Sequence, residues 1–152
     1  MAKTSIKTIN EFLEPRKFAL IGLSRNEKSF SRLAFKELRA KGYTIYPVNP
    51  NIDEVDGVKC YRDIAQLPQD VRHAVFMTPK DKTVEALLEG IDHGFTHIWL
   101  QQGTESPDAM STAAEKGVKL VSKTCLLMHA DPKGVHKFHG SIMKFFGAFS
   151  NN

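Results

Sequence analysis

Two cysteines in 152 residues, Cys60 and Cys125, are too few for a disulfide framework, and neither sits in a CxxC pair or at metal-ligand spacing. Reduced thiols in a reducing compartment are the simplest expectation. No stretch approaches the unbroken apolar run of a membrane span, and the opening Met1 to Lys7 lacks the apolar centre of a signal peptide. A cytoplasmic chain is therefore expected. Strong charge of one sign is also missing. The 21 basic and 17 acidic residues leave +4, and the basic ones are scattered rather than gathered in a stripe. This argues against nucleic-acid binding and suits an anionic small molecule. Two nucleotide fingerprints are absent as well: neither GxGxxG nor GxxxxGK[ST] occurs, which removes ATP on a P-loop.

What is present reads as one compact domain, with 41% hydrophobic and 25% charged residues. A phrase recurs at Lys41-Gly42-Tyr43, His93-Gly94-Phe95 and Lys116-Gly117-Val118: a helix end, a glycine, then a short apolar strand. Glycine just past a helix closes it in the left-handed conformation. Helical stripes precede each phrase, at Phe30, Leu33, Ala34 and Leu38, at Val84, Leu87, Leu88 and Ile91, and at Met110, Ala113 and Ala114. The strands are expected at Phe18–Gly22, Tyr43–Val48, His73–Met77, His97–Leu100 and Val118–Val121, with short helices at Thr8–Leu13 and near Asp63–Leu67. Most strands are continuous apolar runs, as in a parallel sheet covered on both faces. The alternation predicts a doubly wound α/β fold with a five-stranded parallel sheet in the order 3-2-1-4-5. Residues 1–131 make the domain. Residues 132–152 carry Val135, Phe138, Ile142, Phe145 and Phe149 at helical spacing and form an extra C-terminal helix, packed on the domain or at a homodimer or partner interface.

Ligands of open parallel sheets bind at the carboxyl ends of the strands, where the strand order reverses. In the expected order this is the crevice between the first and fourth strands. Gly22, Ser24, Arg25, Lys28 and Ser29 follow the first strand, with Ser29 a candidate N-cap. Asn49 and Pro50 follow the second, Thr78 and Pro79 the third, and Gln102 and Gly103 the fourth. A helix amino terminus with nearby Arg25 and Lys28 favours a phosphate, which Gly22 would let approach the backbone. The acidic residue that would hold NAD ribose hydroxyls at the second strand end is replaced by Asn49. That argues against NAD and leaves a nucleotide with a phosphorylated ribose, either coenzyme A or NADP.

The runs Gly22-Leu-Ser-Arg25, Gly42-Tyr-Thr-Ile-Tyr-Pro-Val-Asn-Pro50 and Ile98-Trp-Leu-Gln-Gln-Gly103, followed by Cys125, resemble the small bacterial CoA-binding domain proteins. These are similar to the amino-terminal CoA-binding domain of the succinyl-CoA synthetase alpha subunit. The resemblance runs from Phe18 to His129 and implies a Rossmann-like fold that binds CoA. It assigns Gly22, Ser24 and Arg25 to the diphosphate loop. It places Asn49, Pro50, Thr78 and Pro79 at the adjoining strand ends, and Gln102 and Gly103 in the fourth-strand loop. The tail from Asp131 to Asn152 lies outside it.

No catalytic group is assigned. The synthetase's phosphorylated histidine belongs to a separate domain with no match here. His129, His136 and His139 lack an acidic or cysteine partner at ligand spacing, so surface histidines are expected rather than a metal site. Cys60 and Cys125 read as small buried residues, with an activated Cys125 thiol beside the crevice as the alternative. The leading expectation is a non-catalytic CoA- or acyl-CoA-binding protein, a sensor or carrier. The alternatives are an NADP-linked oxidoreductase, a CoA-ligase-type subunit needing a partner, and a regulatory interaction module docking through the C-terminal phenylalanines.

Overall fold

The structure is a computed structural model that describes residues 6–130. The expected C-terminal helix, its dimer contact, His136 and His139 lie outside the described residues. In chain order the elements are α1 (Ile6–Leu13), β1 (Lys17–Ile21), α2 (Phe30–Ala40), β2 (Thr44–Val48), β3 (Glu54–Val55), β4 (Val58–Lys59), β5 (His73–Phe76), α3 (Thr83–His93), β6 (His97–Leu100), α4 (Pro107–Lys116) and β7 (Lys119–Val121). Short 3₁₀ turns occupy Ile64–Gln66, Lys80–Lys82 and Leu126–Met128.

Five strands form a parallel sheet in the order β2-β1-β5-β6-β7, and β3 and β4 make a separate antiparallel hairpin. Side chains alternate across the sheet with the period of two that a pleat imposes. Phe18, Leu20, Val75 and Trp99 face one core together with Phe12 of α1 and Phe35 of α2. Ala19, Ile21, Phe76 and Ile98 face the other, with Leu87 of α3 and Ala109 of α4. Helices thus cover both faces, as a Rossmann-like, doubly wound α/β fold requires. The glycines of the recurring phrase all lie at positive φ: 90° at Gly42, 122° at Gly94 and 73° at Gly117.

The strand order differs from the expected 3-2-1-4-5. The third long strand, β5, pairs directly with β1 through Ala19↔Ala74 and Ile21↔Phe76 instead of lying outside β2. Burial explains the choice. Ala74, Val75 and Phe76 are fully buried on both faces and need a central place. By contrast, β2 contains Pro47, which lacks an N–H and is tolerated at an edge. The space outside β2 is taken by a single parallel bridge, Val48↔Tyr61. Tyr61 donates its N–H to Pro47 O at 2.8 Å, and Asn49 donates to Tyr61 O at 2.9 Å. The reversal of strand order consequently falls between β1 and β5, not between the first and fourth strands of the expected order.

At the amino ends of the strands, α1 is seated by aromatic rings. The Phe12 ring lies 5.1 Å from Phe18, 5.4 Å from His73 and 5.3 Å from Trp99. His73 Nδ1 is 2.8 Å from the Phe12 carbonyl, and since a carbonyl only accepts, Nδ1 carries the proton. His97 stacks on His73 at 4.2 Å and reaches Glu11 through Nε2 at 3.4 Å. Burial, helped by neighbouring His97, holds the His73 imidazole below the usual histidine range, against the opposing Phe12 bond. Burial alone does the same at His129. A histidine held neutral in the folded state gives stability that is full above the unfolded value of about 6.5 and is lost as pH falls below it. Thermal melts between pH 7.5 and 5 should show a declining midpoint. His73→Gln should flatten that decline in part, leaving the His129 contribution, and an unaltered slope would remove His73 from the account.

Candidate functional site

The carboxyl ends of β1, β2 and β5 are locked together by backbone hydrogen bonds. Val48 O accepts from both Gly22 and Leu23 N–H at 3.3 Å, and Ile21 O accepts from Met77 N–H at 2.8 Å. Gly22 sits at φ 95°, and a Cβ there would stand 2.8 Å from Met77 O and 2.9 Å from Met77 C. The close approach that demands glycine is therefore made by the chain's own backbone. The sequence had suggested a ligand in that role.

The loop after β1 is folded by its own polar groups. Ser24 Oγ accepts from Asn26 N at 3.0 Å, and Asn26 Oδ1 accepts from Lys28 N at 2.9 Å. Ser29 is the N-cap of α2, as expected, accepting from Arg32 N at 3.3 Å. Ser31 Oγ accepts from Ser24 N at 2.9 Å. Arg32, which sequence reasoning passed over, reaches back to the Ser24 carbonyl at 3.4 Å and lies 3.9 Å from Asp56. Arg25 and Lys28 are exposed and make no ion pair among the described residues.

Asn49 has both ends of its amide committed. Nδ2 donates to Leu23 O at 2.5 Å, and Oδ1 accepts from Asn51 N at 2.7 Å. This position needs a donor and an acceptor together, which an ionised aspartate cannot supply. Thr78 is buried, 2.7 Å from Thr83 Oγ1, and Thr83 in turn donates to Pro79 O at 3.3 Å. Thr83 has one hydroxyl proton, so Thr78 is the donor of the pair and keeps only acceptor capacity.

These strand ends enclose a groove of about 940 Å³, within the range of small-molecule sites. It gathers Gly22, Ser24 and Arg25 from the first loop, Asn49 and Pro50 after β2, and Thr78 and Pro79 after β5. Lys28 and Ser29 belong to the same loop but do not line the groove, and neither do Gln102 and Gly103 after β6. The groove adds Arg62, Asp63, Lys82 and Glu89, which sequence patterning did not single out. Arg62 follows a one-residue bridge too short to register as a strand, and Lys82 precedes a helix without a capping side chain.

After β6, the buried side chain is Gln101 rather than Gln102. Its Oε1 accepts from Leu126 N at 3.0 Å, while Nε2 is buried without a partner that meets hydrogen-bond geometry. Both thiols are free and buried, and burial pushes each above its usual range. The nearby Gln101 amide opposes this at Cys125 without reversing it. The buried reading of the cysteines holds. Among the described residues, no group of His, Cys, Asp or Glu is placed to hold a metal.

Two substitutions test this architecture. Gly22→Ala should cost on the order of 2 kcal/mol or more, through the positive φ and the Met77 clash. Asn49→Asp, which sets a carboxylate against Leu23 O, should cost about 1–3 kcal/mol. Urea denaturation measures both, and unchanged midpoints would show that the three strand ends do not depend on these contacts.

The chain is 28% identical over 129 residues to the acetate–CoA ligase [ADP-forming] II subunit alpha of Pyrococcus furiosus, a match covering 78% of this chain but only 28% of that relative. It is 27% identical to the uncharacterized protein YneT of Bacillus subtilis, covering 88% of this chain and all of that one. A solved structure of a conserved hypothetical protein from Pyrococcus furiosus superposes with a TM-score of 0.72 at 36% identity, covering 74% of this chain and 97% of that one. The CoA binding domain family model matches residues 16–131, and the chain belongs to that family.

Proposed function

We propose that this chain binds coenzyme A in the β1–β2–β5 groove as a non-catalytic binding protein, a sensor or carrier of CoA or acyl-CoA. The observation that carries the reading is the convergence of Gly22, Ser24, Arg25, Asn49, Pro50, Thr78 and Pro79 on one groove in a chain of the CoA-binding domain family. The diphosphate lies along the first loop, with Arg25 as counter-charge and the α2 amino terminus at the loop's end. The adenosine lies between the ends of β2 and β5, where Thr78 Oγ1 accepts from a ligand N–H or O–H. The pantetheine arm runs toward Gln102 and Gly103. Lys28 adds long-range attraction from outside the groove, and Ser29 acts through the loop it caps.

A second reading, a subunit that works with a separate chain in CoA-ligase chemistry, is supported by the likeness to a ligase subunit alpha. The chain spans less than a third of the ligase subunit it matches. Both readings place CoA in the same groove, and they differ in whether a further chain supplies catalysis.

Calorimetric titration with CoA, acetyl-CoA, NADPH and ADP tests the common element. Saturable heat with CoA is expected, and saturation by NADPH with none by CoA would overturn the reading in favour of an NADP-linked protein. Arg25→Ala should weaken CoA by about 10–100-fold, the range of a lost charge-assisted hydrogen bond, with the thermal midpoint retained. Unchanged affinity would take Arg25 out of the site.

A further inference from the structure

A phosphorylated ribose needs a cation at the β2 end of the groove, and the residue expected to read the ribose there supplies none. Asn49 is neutral, and both ends of its amide are held by Leu23 O and Asn51 N. The nearest cation by backbone geometry is Arg62. The parallel bridge Val48↔Tyr61 sets Tyr61 beside the last residue of β2, and Asn49 N donates to Tyr61 O at 2.9 Å. The next residue, Arg62, therefore stands alongside Asn49 and lines the same groove. We infer that Arg62 reads the phosphate on the ribose ring of the bound coenzyme, so that the groove selects CoA over its 3′-dephospho form. This rests on the CoA reading of the groove.

The surroundings sharpen the role. Arg62 pairs with Asp53 at 2.7 Å, but both side chains are largely exposed, at 62% and 79%. Such a pair in water is weak, and a phosphate dianion meeting the planar guanidinium displaces it readily. Asp53 does not line the groove, but two carboxylates, Asp63 and Glu89, do, and Asp63 is engaged in accepting from Gln66 N at 3.1 Å. A ribose phosphate would meet this acidic rim unless Arg62 stood between. Lys82 sits at the other wall, just before α3, away from the β2 end. Arg25 belongs to the diphosphate loop. Of the groove's cations, Arg62 alone adjoins the strand end where a ribose lies in parallel-sheet nucleotide sites.

The experiment is a pair of titrations, with CoA and with 3′-dephospho-CoA, on the full chain and on three variants. The unaltered chain should prefer CoA by about tenfold or more. R62A should bring that ratio to about one or invert it, as the phosphate then faces Asp63 and Glu89. R62K should restore part of the preference, which a merely structural role would not do, and K82A should keep it. Equal affinity of the unaltered chain for both ligands, a preference that survives R62A, or one lost in K82A instead, would overturn the assignment to Arg62 and leave the CoA reading standing. Binding of neither ligand would overturn the CoA reading itself, and this inference with it.

Discussion

Everything at the carboxyl end of the sheet depends on how closely β1 is gripped between β2 and β5. Val48 O takes two N–H groups from the turn after β1, and Ile21 O takes one from Met77. Gly22 permits this because it has no side chain to stand between the turn and the Met77 carbonyl. Three loops that would otherwise wander are held to one geometry by backbone groups that had to find partners in any case. The groove follows from that satisfaction of backbone polarity. It exists before any ligand arrives.

The division of labour among the polar side chains follows from the same constraint. Ser24, Asn26, Ser29 and Asn49 all satisfy backbone groups of their own or a neighbouring loop. Ordering a loop in advance lowers the entropy that binding must overcome. The long cations Arg25, Arg62 and Lys82 are left at the rim, where they remain hydrated until an anion displaces water. Conserving hydroxyls and amides for the fold while leaving guanidinium and ammonium groups for the ligand suits a phosphorylated molecule. A neutral ligand would need those hydroxyls itself.

Much of this was legible in the residues. The helices closed by Gly42, Gly94 and Gly117 and the cap at Ser29 rest on local chemistry, and local chemistry is written locally. Helical periodicity also read well, with Leu87 buried as expected, although Leu88 of the same stripe is 43% exposed. Strand order was misplaced because it depends on which strand is buried on both faces, and the decisive partner of β2 is a single residue, Tyr61, with no periodicity to detect. The same blindness hid Arg62 and Lys82. Gly22, Ser24, Arg25, Asn49, Pro50, Thr78 and Pro79 share one groove while Lys28, Ser29, Gln102 and Gly103 do not line it, and the individual roles of Gly22 and Asn49 turned on contacts between loops distant in sequence.

The carboxyl edge of the sheet is chemically divided, and the division has a direction. The cations of the groove belong to the β2–β1–β5 side. Toward β6 and β7 the interior is neutral, with Gln101 bonded to Leu126 and Cys125 buried, while exposed Lys123 and half-buried Glu105 stand at the loops above it. A molecule that is polyanionic at one end and an uncharged amide chain at the other has one favourable orientation on such a surface. Its phosphates gain from the groove's cations on the first side, and its arm avoids desolvating them by lying away from it. The gathering of Arg25, Arg62 and Lys82 at one groove is a feature that a polyanionic ligand can use, whatever motif surrounds it.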